Sequence, residues 1–328
     1  MPNAAQQNIL VIKLGAFGDF IQALGPMAAI RRHHPDAHVT LLTTAPFVTI
    51  ARESHYFDQI WLDERPKLAA PHKILALSKK LRGGNFTRVY DLQNNDRTTF
   101  YLRLFSLNPF VKNKVPEWVG AAPGASHRNT SPDRIAGHAF DGHVQTLALG
   151  GVTDVHVDTL DWVSADIASF KLPHPYVLIV PGSTPGRPEK RWPAAQYGAL
   201  ARHLYGWGYT PVITGTLGET ALAEQIQTHC PQAINLCGQT SMMDLVGLAR
   251  GGAGAIGNDT GPMHLIAPTG CPCIVIFSRH SNPLRHAPRG EHVRCIQKDD
   301  LNDLRAQDVL EQISGHDFRH KGRCAEDA

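Results

Sequence analysis

NILVIKLGAFGDFIQALGPMAAIRRHHPDAHVTLLTT, residues 8–44, decides the fold. Its first seven residues form a short apolar run rich in β-branched types, GAFGD at 15–19 is a tight glycine turn, and residues 20–35 carry helical spacing. HVTLLTT at 38–44 then returns to a strand. Strand, tight turn, helix and strand in succession form the repeating unit of a parallel sheet with helices on its faces.

The same alternation runs outward from this segment. PFVTIARES reads as a helix, QIWLD as a strand, KILALSKKLRGG as a helix and RVYDLQ as a strand. Residues 115–141 are rich in Gly, Pro, Ser and His and read as one long loop, after which HVQTLALGG is a helix closed by glycines. A second series opens at PYVLIVPGS and continues through AAQYGALARHLYGWG, TPVITG, ETALAEQIQTHC, INLCG, SMMDLVGLARGG, GAIGND, MHLIAPTG and CIVIFS. Two α/β series imply two Rossmann-like domains, 1–168 and 169–328, with the linker near 163–175, where SADIASFKLPHP breaks both periodicities. The last amphipathic helix, LRAQDVLEQI, is free to pack back on the first domain.

Bulk properties narrow the class. At 328 residues the chain exceeds one ordinary core, and 42 % hydrophobic against 19 % charged residues is a globular balance that excludes a disordered chain. No apolar run reaches the ~18 residues of a membrane span, and MPNAAQQN lacks a signal-peptide layout, so a cytoplasmic location is expected. Six cysteines without a CxxC pair read as reduced thiols rather than a zinc site. A net charge of +3 does not argue for nucleic acid. Yet residues 65–90 hold Arg65, Lys67, Lys73, Lys79, Lys80, Arg82 and Arg88 and no acid. That run is either a solvated helix face or a dock for an anionic acceptor or an acidic membrane surface.

Three segments could carry chemistry. KLGAFGDF, residues 13–20, lies where the first strand meets the first helix, the ligand-binding end of an open α/β sheet. Gly15 and Gly18 permit close approach, and Asp19 is either a helix cap or a functional carboxylate. The turn is not GxGxxG, so no nicotinamide cofactor is expected. PGSTPGRPEKRWP, residues 181–193, offers the hydroxyls of Ser183 and Thr184 and the charges of Arg187, Lys190 and Arg191, which suit a pyrophosphate as well as a solvated basic loop. GNDTGPMHL, residues 257–265, places Asp259 and Thr260 to cap a helix whose first amides could hold a phosphate oxygen, with Pro262 in its first turn and His264 one turn in.

Taken together, KLGAFGDFIQALGPMAAIRRHHPDAHVTLLT, KRWP and GNDTGPMHLIAPTG resemble glycosyltransferase family 9, the ADP-heptose:lipopolysaccharide heptosyltransferases, with DLQNNDR at 91–97 in support. The resemblance implies a GT-B α/β fold of two Rossmann-like domains facing each other across a cleft. It implies inverting transfer of heptose from ADP-heptose to a lipopolysaccharide inner-core acceptor or related anionic glycan, with no metal and no cofactor beyond the nucleotide sugar. Peripheral contact with the inner face of the inner membrane is compatible with it. Under that resemblance Asp19 is the general base. Ser183, Thr184, Lys190, Asp259, Thr260, Gly261 and His264 surround the diphosphate, Glu219 holds the ribose, and Thr240 lies near the adenine. Gly18, Arg97, Lys79, Lys80 and Arg82 serve the acceptor. Rival readings are a family member with another donor or acceptor, a non-catalytic nucleotide-sugar binder, and a sugar-nucleotide epimerase that needs no acceptor.

Overall fold

The computed structural model describes residues 7–67, 69–106, 115–183, 186–314 and 318. The chain divides into two compact units, Met1–Asp158 and Thr159–Ala328. The division falls ten residues before the expected one, because the segment after Asp158 is tied into the second unit. Leu160 and Val163 are buried, and Arg250 donates to both their carbonyls at 2.5 and 2.7 Å.

In the first unit the strands are β1 (Asn8–Ile12), β2 (His38–Thr43), β3 (Gln59–Leu62), β4 (Arg88–Asp91), β5 (Glu117–Gly120) and β6 (His127–Arg128). All pair in parallel, in the order β3-β2-β1-β4-β5-β6. The helices are α1 (Phe17–Gln22), α2 (Leu24–His33), α3 (Val48–Glu53), α4 (Pro71–Gly83), α5 (Asp96–Ser106), α6 (Asp133–Ala136) and α7 (Ala139–Leu149). Residues 9–12 of β1 are fully buried, as expected of a strand covered on both faces.

Two readings of this half change. The stretch expected to be a single helix is broken at Ala23 into α1 and α2. Pro26 has no N–H with which to reach the Gln22 carbonyl, and Ala23 bonds back to Phe20 at 3.0 Å instead. The expected long loop at 115–141 contains β5, β6 and α6. Its EWVG segment is too short to show a period, but Trp118 and Val119 are buried beside β4.

The second unit repeats the plan with β7 (Tyr176–Val180), α8 (Ala194–Gly206), β8 (Thr210–Ile213), α9 (Thr220–His229), β9 (Ile234–Asn235), α10 (Met242–Gly251), β10 (Gly254–Asn258), α11 (Gly261–Ile266), β11 (Cys273–Ser278), α12 (Pro283–His286), β12 (Val293–Lys298) and α13 (Ala306–Ser314). Its parallel sheet runs β12-β11-β10-β7-β8-β9. The edge strand β12 went unread in the sequence because it is half exposed and lacks an apolar run. α13 packs on α8, where Val309, Leu310 and Ile313 join Leu200 and Leu204 in the core. The five described cysteines are free thiols, and Cys324 lies outside the described residues.

Each sheet has one point where the chain reverses its direction of travel across the strands, between β1 and β4 and between β7 and β10. At such switch points the loops leaving the strands' carboxyl ends splay apart and open a crevice for ligand.

Candidate active site

In the first unit the switch point is built by the residues just beyond β1 and β4. The Leu14 amide donates to the Gln93 side chain at 2.8 Å. The Leu14 carbonyl accepts from Thr44 Oγ1 at 3.1 Å and Arg65 Nη2 at 2.5 Å. Gly15 follows at φ +124°, where a side chain would be strained and its Cβ would meet the Phe47 ring at 3.1 Å. This anchored turn delivers Gly18 and Asp19 in the first turn of α1, and Phe20 beside them stacks on Phe47 with centroids 4.4 Å apart.

Asp19 is half-buried and does not cap its helix. The N-cap is Ala16, and among the described residues the Asp19 carboxylate takes part in no hydrogen bond. Its electrostatic neighbour is Lys13, which is 4 % exposed and donates to the Leu92 carbonyl at 3.0 Å. Burial lowers the Lys13 pKa, and the charges of Asp19 and Asp91 partly offset that. Asp91 ends β4 fully buried; burial raises its pKa to about 6, even though its Oδ1 accepts from the Gln93 and Asn94 amides at 3.0 and 2.8 Å. Lys13 and Asp91 are first-unit residues for which the sequence assigned no site role, and Arg65 was read only as part of the basic run. A lysine and an aspartate ending two apolar strands were the available signal.

The predicted acceptor residues separate. Arg97 opens α5 just past β4 and reaches the Tyr101 hydroxyl at 3.4 Å and the Pro66 carbonyl at 3.5 Å. Lys79, Lys80 and Arg82 occupy the last turns of α4, which returns toward the amino ends of the strands, opposite the edge that carries Asp19. Lys80 lies over the Trp61 ring at 4.8 Å, and Arg82 donates to its own helix at Ser78. Arg82 also lines an open cavity of about 810 Å³ with His33, His34, Thr87 and Arg88, at those amino ends. The basic run is therefore dispersed: Lys73 faces Glu64, Arg88 is paired with Glu117, and Arg65 alone of the run donates to the loop that leads to Asp19.

In the second unit the switch point gathers β7, β10 and the loop before α8. Lys190 Nζ lies 2.7 Å from Asp259 Oδ2, with the two side chains 16 % and 8 % exposed. Asp259 therefore does not cap α11, as expected from the sequence, but holds the lysine. Thr260 is the N-cap, without a side-chain cap bond. Of the first-turn amides, that of Met263 already donates to the Thr260 carbonyl at 3.1 Å, so it is not available to a phosphate. Gly261 begins the helix, and His264 is buried one turn in.

Ser183 is buried and its hydroxyl donates to the Arg187 carbonyl at 3.2 Å, which shapes the loop from within; Thr184 lies outside the described residues. Glu219 closes a capping box with Thr216, accepting from its amide at 2.7 Å and its hydroxyl at 3.0 Å. The carboxylate also lies against Gly182, where an added Cβ would sit 1.6 Å from Oε1. Glu219 thus reaches the end of β7, while Thr240 precedes the capping residue Ser241 of α10. The sequence passed over Asn258, Trp192 and Tyr197, which join these loops from below. A carboxamide ending an otherwise apolar buried strand was their signal.

Residues 154–314 match the family model described as glycosyltransferase family 9 (heptosyltransferase). The chain is 31 % identical over 108 residues to lipooligosaccharide heptosyltransferase 2 of Haemophilus influenzae, a match spanning 31 % of each protein. It is 22 % identical over 301 residues to the lipopolysaccharide core heptosyltransferase OpsX of the same organism, covering 87 % of this chain and 82 % of that one. In fold it is similar to E. coli ADP-heptose lps heptosyltransferase II, at a TM-score of 0.73 and 19 % identity over 94 % of this chain and 98 % of the other. That likeness extends the GT-B architecture to both units. With a family match over residues 154–314, a longer relative spanning both units, and the two switch points occupied by the motifs that carried the resemblance, the chain's second unit belongs to glycosyltransferase family 9 and the chain as a whole is similar to its heptosyltransferases.

Proposed function

We propose that this protein transfers heptose from ADP-heptose to a lipopolysaccharide core acceptor, with inversion at the anomeric carbon and without a metal ion. The observation that carries the reading is the ion pair of Lys190 and Asp259 at the second switch point, a fixed positive charge beside a short helix. Donor names such as ADP-heptose belong to the relatives, and this charge is what makes a nucleoside diphosphate suitable here.

In the proposed step Asp19 accepts the proton of the acceptor hydroxyl while its oxygen attacks the anomeric carbon. The bond from that carbon to the β-phosphate oxygen breaks, its electron pair leaves with ADP, and the Lys190 ammonium offsets the charge gained by the departing diphosphate. Asp19 suits the role because its carboxylate is not occupied by a cap or a salt bridge among the described residues. Arg65 and Arg97, near the same edge, suit the anionic groups of the acceptor better than Lys79, Lys80 and Arg82 do. An acceptor of this class is made at the inner membrane, so we place the enzyme on its cytoplasmic side.

Incubating the protein with ADP-heptose and following ADP release, with and without a lipid A–Kdo acceptor, tests the reading. Release that depends on the acceptor is the expected result. Equal release without acceptor, or preference for a UDP or GDP sugar, would overturn the assignment.

A further inference from the structure

The end of β10 carries a side chain for which donor binding by Lys190 and Asp259 gives no role. Asn258 is fully buried. Its Oδ1 accepts from the Trp192 amide at 3.1 Å and the Tyr197 hydroxyl at 3.0 Å, and its Nδ2 donates to the carbonyls of Pro181 at 2.7 Å and Gly182 at 3.1 Å. A backbone amide can only donate and a carbonyl can only accept, so one orientation of the carboxamide alone satisfies these partners.

The backbone partners are the two ends of the loop between β7 and α8, and Asn258 itself stands at the root of the loop after β10. Pro181 and Gly182 lead into Ser183, Trp192 lies two residues beyond Lys190, and the residue after Asn258 is Asp259 itself. One carboxamide therefore ties both ends of the single loop between β7 and α8 to the end of β10. The surrounding corner has its own supports. The Trp192 indole donates to the Leu304 carbonyl at 2.9 Å and packs edge-on to Tyr197 with centroids 4.6 Å apart. What Asn258 adds is the placement of the backbone on either side of the ion pair.

We propose that Asn258 is a positioning residue of the donor site, which holds Lys190 and the backbone of Gly182 and Ser183 in register to receive one diphosphate. The proposal rests on the reading of the second unit as a nucleotide-sugar site and deepens it. Asn258→Asp is the informative change. It keeps size and the acceptor oxygen but turns a second oxygen toward two carbonyls, so the frame is pushed apart where the wild-type amide joins it.

The test is calorimetric titration of ADP into the wild type, Lys190→Met, Asn258→Asp and the double variant, with thermal melts of each. We expect each single change to weaken ADP binding about 10- to 100-fold, the range of one charge-assisted hydrogen bond. The double variant should bind within about threefold of the weaker single, because both act through one contact. In turnover assays Asn258→Asp should raise the donor KM more than it lowers kcat. A folded Asn258→Asp that binds ADP within twofold of the wild type, or a double variant that loses the product of the two single effects, overturns the proposal. If Asn258→Asp does not fold, Tyr197→Phe removes only one of the four bonds. It should weaken ADP binding about threefold at a nearly unchanged Tm, and unchanged affinity overturns the proposal. A wild type that does not bind ADP, or a Lys190→Met that binds it as well as the wild type, instead refutes the donor-site reading beneath it.

Discussion

The two switch points share a strand order and differ in how their polar groups are held. In the second unit the charged pair Lys190 and Asp259 sits on a closed frame, with every hydrogen-bonding position of Asn258 filled. In the first unit Asp19 rides on a six-residue helix and accepts no hydrogen bond among the described residues, above a lysine and an aspartate that are buried. The contrast suits the two roles proposed for these sites. Binding a diphosphate rewards fixed charge, whereas a base must keep a lone pair free for the incoming proton.

The largest effect should come from the open site. Asp19→Ala is expected to reduce turnover by about 10²- to 10⁴-fold, the usual contribution of a general base. A variant within tenfold of wild-type kcat would erase the distinction drawn between the two regions.

Next is the closed site, where Asp259→Ala leaves Lys190 without its partner at low exposure. Breaking such a buried pair costs about 3–5 kcal/mol, visible in urea denaturation, whereas Lys190→Met/Asp259→Leu should recover much of that stability without recovering ADP binding. Equal stability of Asp259→Ala and the wild type would mean that the pair is not the organising contact.

The first unit also holds two groups that respond to acid with opposite sign. His34 is shifted from 6.5 to about 4, chiefly by burial and then by His33, Arg88 and Arg31. The unfolded chain binds its proton first, so this group's contribution to stability is present above about pH 6.5 and is lost as the pH falls through 4. Asp91, raised to about 6 by burial, behaves inversely: the native state binds its proton first, and that contribution is present below about pH 4 and lost as the pH rises through 6. Urea midpoints measured from pH 4 to 7 should therefore drop more steeply with acid in Asp91→Asn and less steeply in His34→Gln than in the wild type. Parallel profiles for all three would contradict these assignments.

The smallest effect is expected from the helix that leads away from the open site. Reversing Lys79, Lys80 and Arg82 to Glu should change acceptor KM less than threefold, because these side chains lie at the amino edge of the sheet. Its main cost is the contact of Lys80 with Trp61, worth about 0.5–1 kcal/mol. Arg65→Met should raise acceptor KM more than the triple reversal does.

Much of this architecture was legible in the sequence because buried parallel strands are near-continuous apolar runs, as in NILVIKL, PYVLIVPGS and CIVIFS. The exceptions have local causes. Pro26 broke a helix that its apolar spacing suggested was whole, and β5 and β12 were too short or too polar to show a period. Motif position singled out Asp19, Lys190 and Asp259, but not that the last two pair. Asp259 looked like a helix cap until its carboxylate met a lysine 69 positions earlier in the chain. The basic run of residues 65–90 could not be divided in the sequence, because adjacency along a helix says nothing about which end of the sheet that helix reaches.

The division of labour between the two switch points is tested most directly by titrating ADP into Asp19→Ala and Lys190→Met side by side. Asp19→Ala should bind ADP with wild-type affinity, and Lys190→Met should bind it about 10- to 100-fold more weakly. Parallel loss of ADP affinity in both variants would contradict that division.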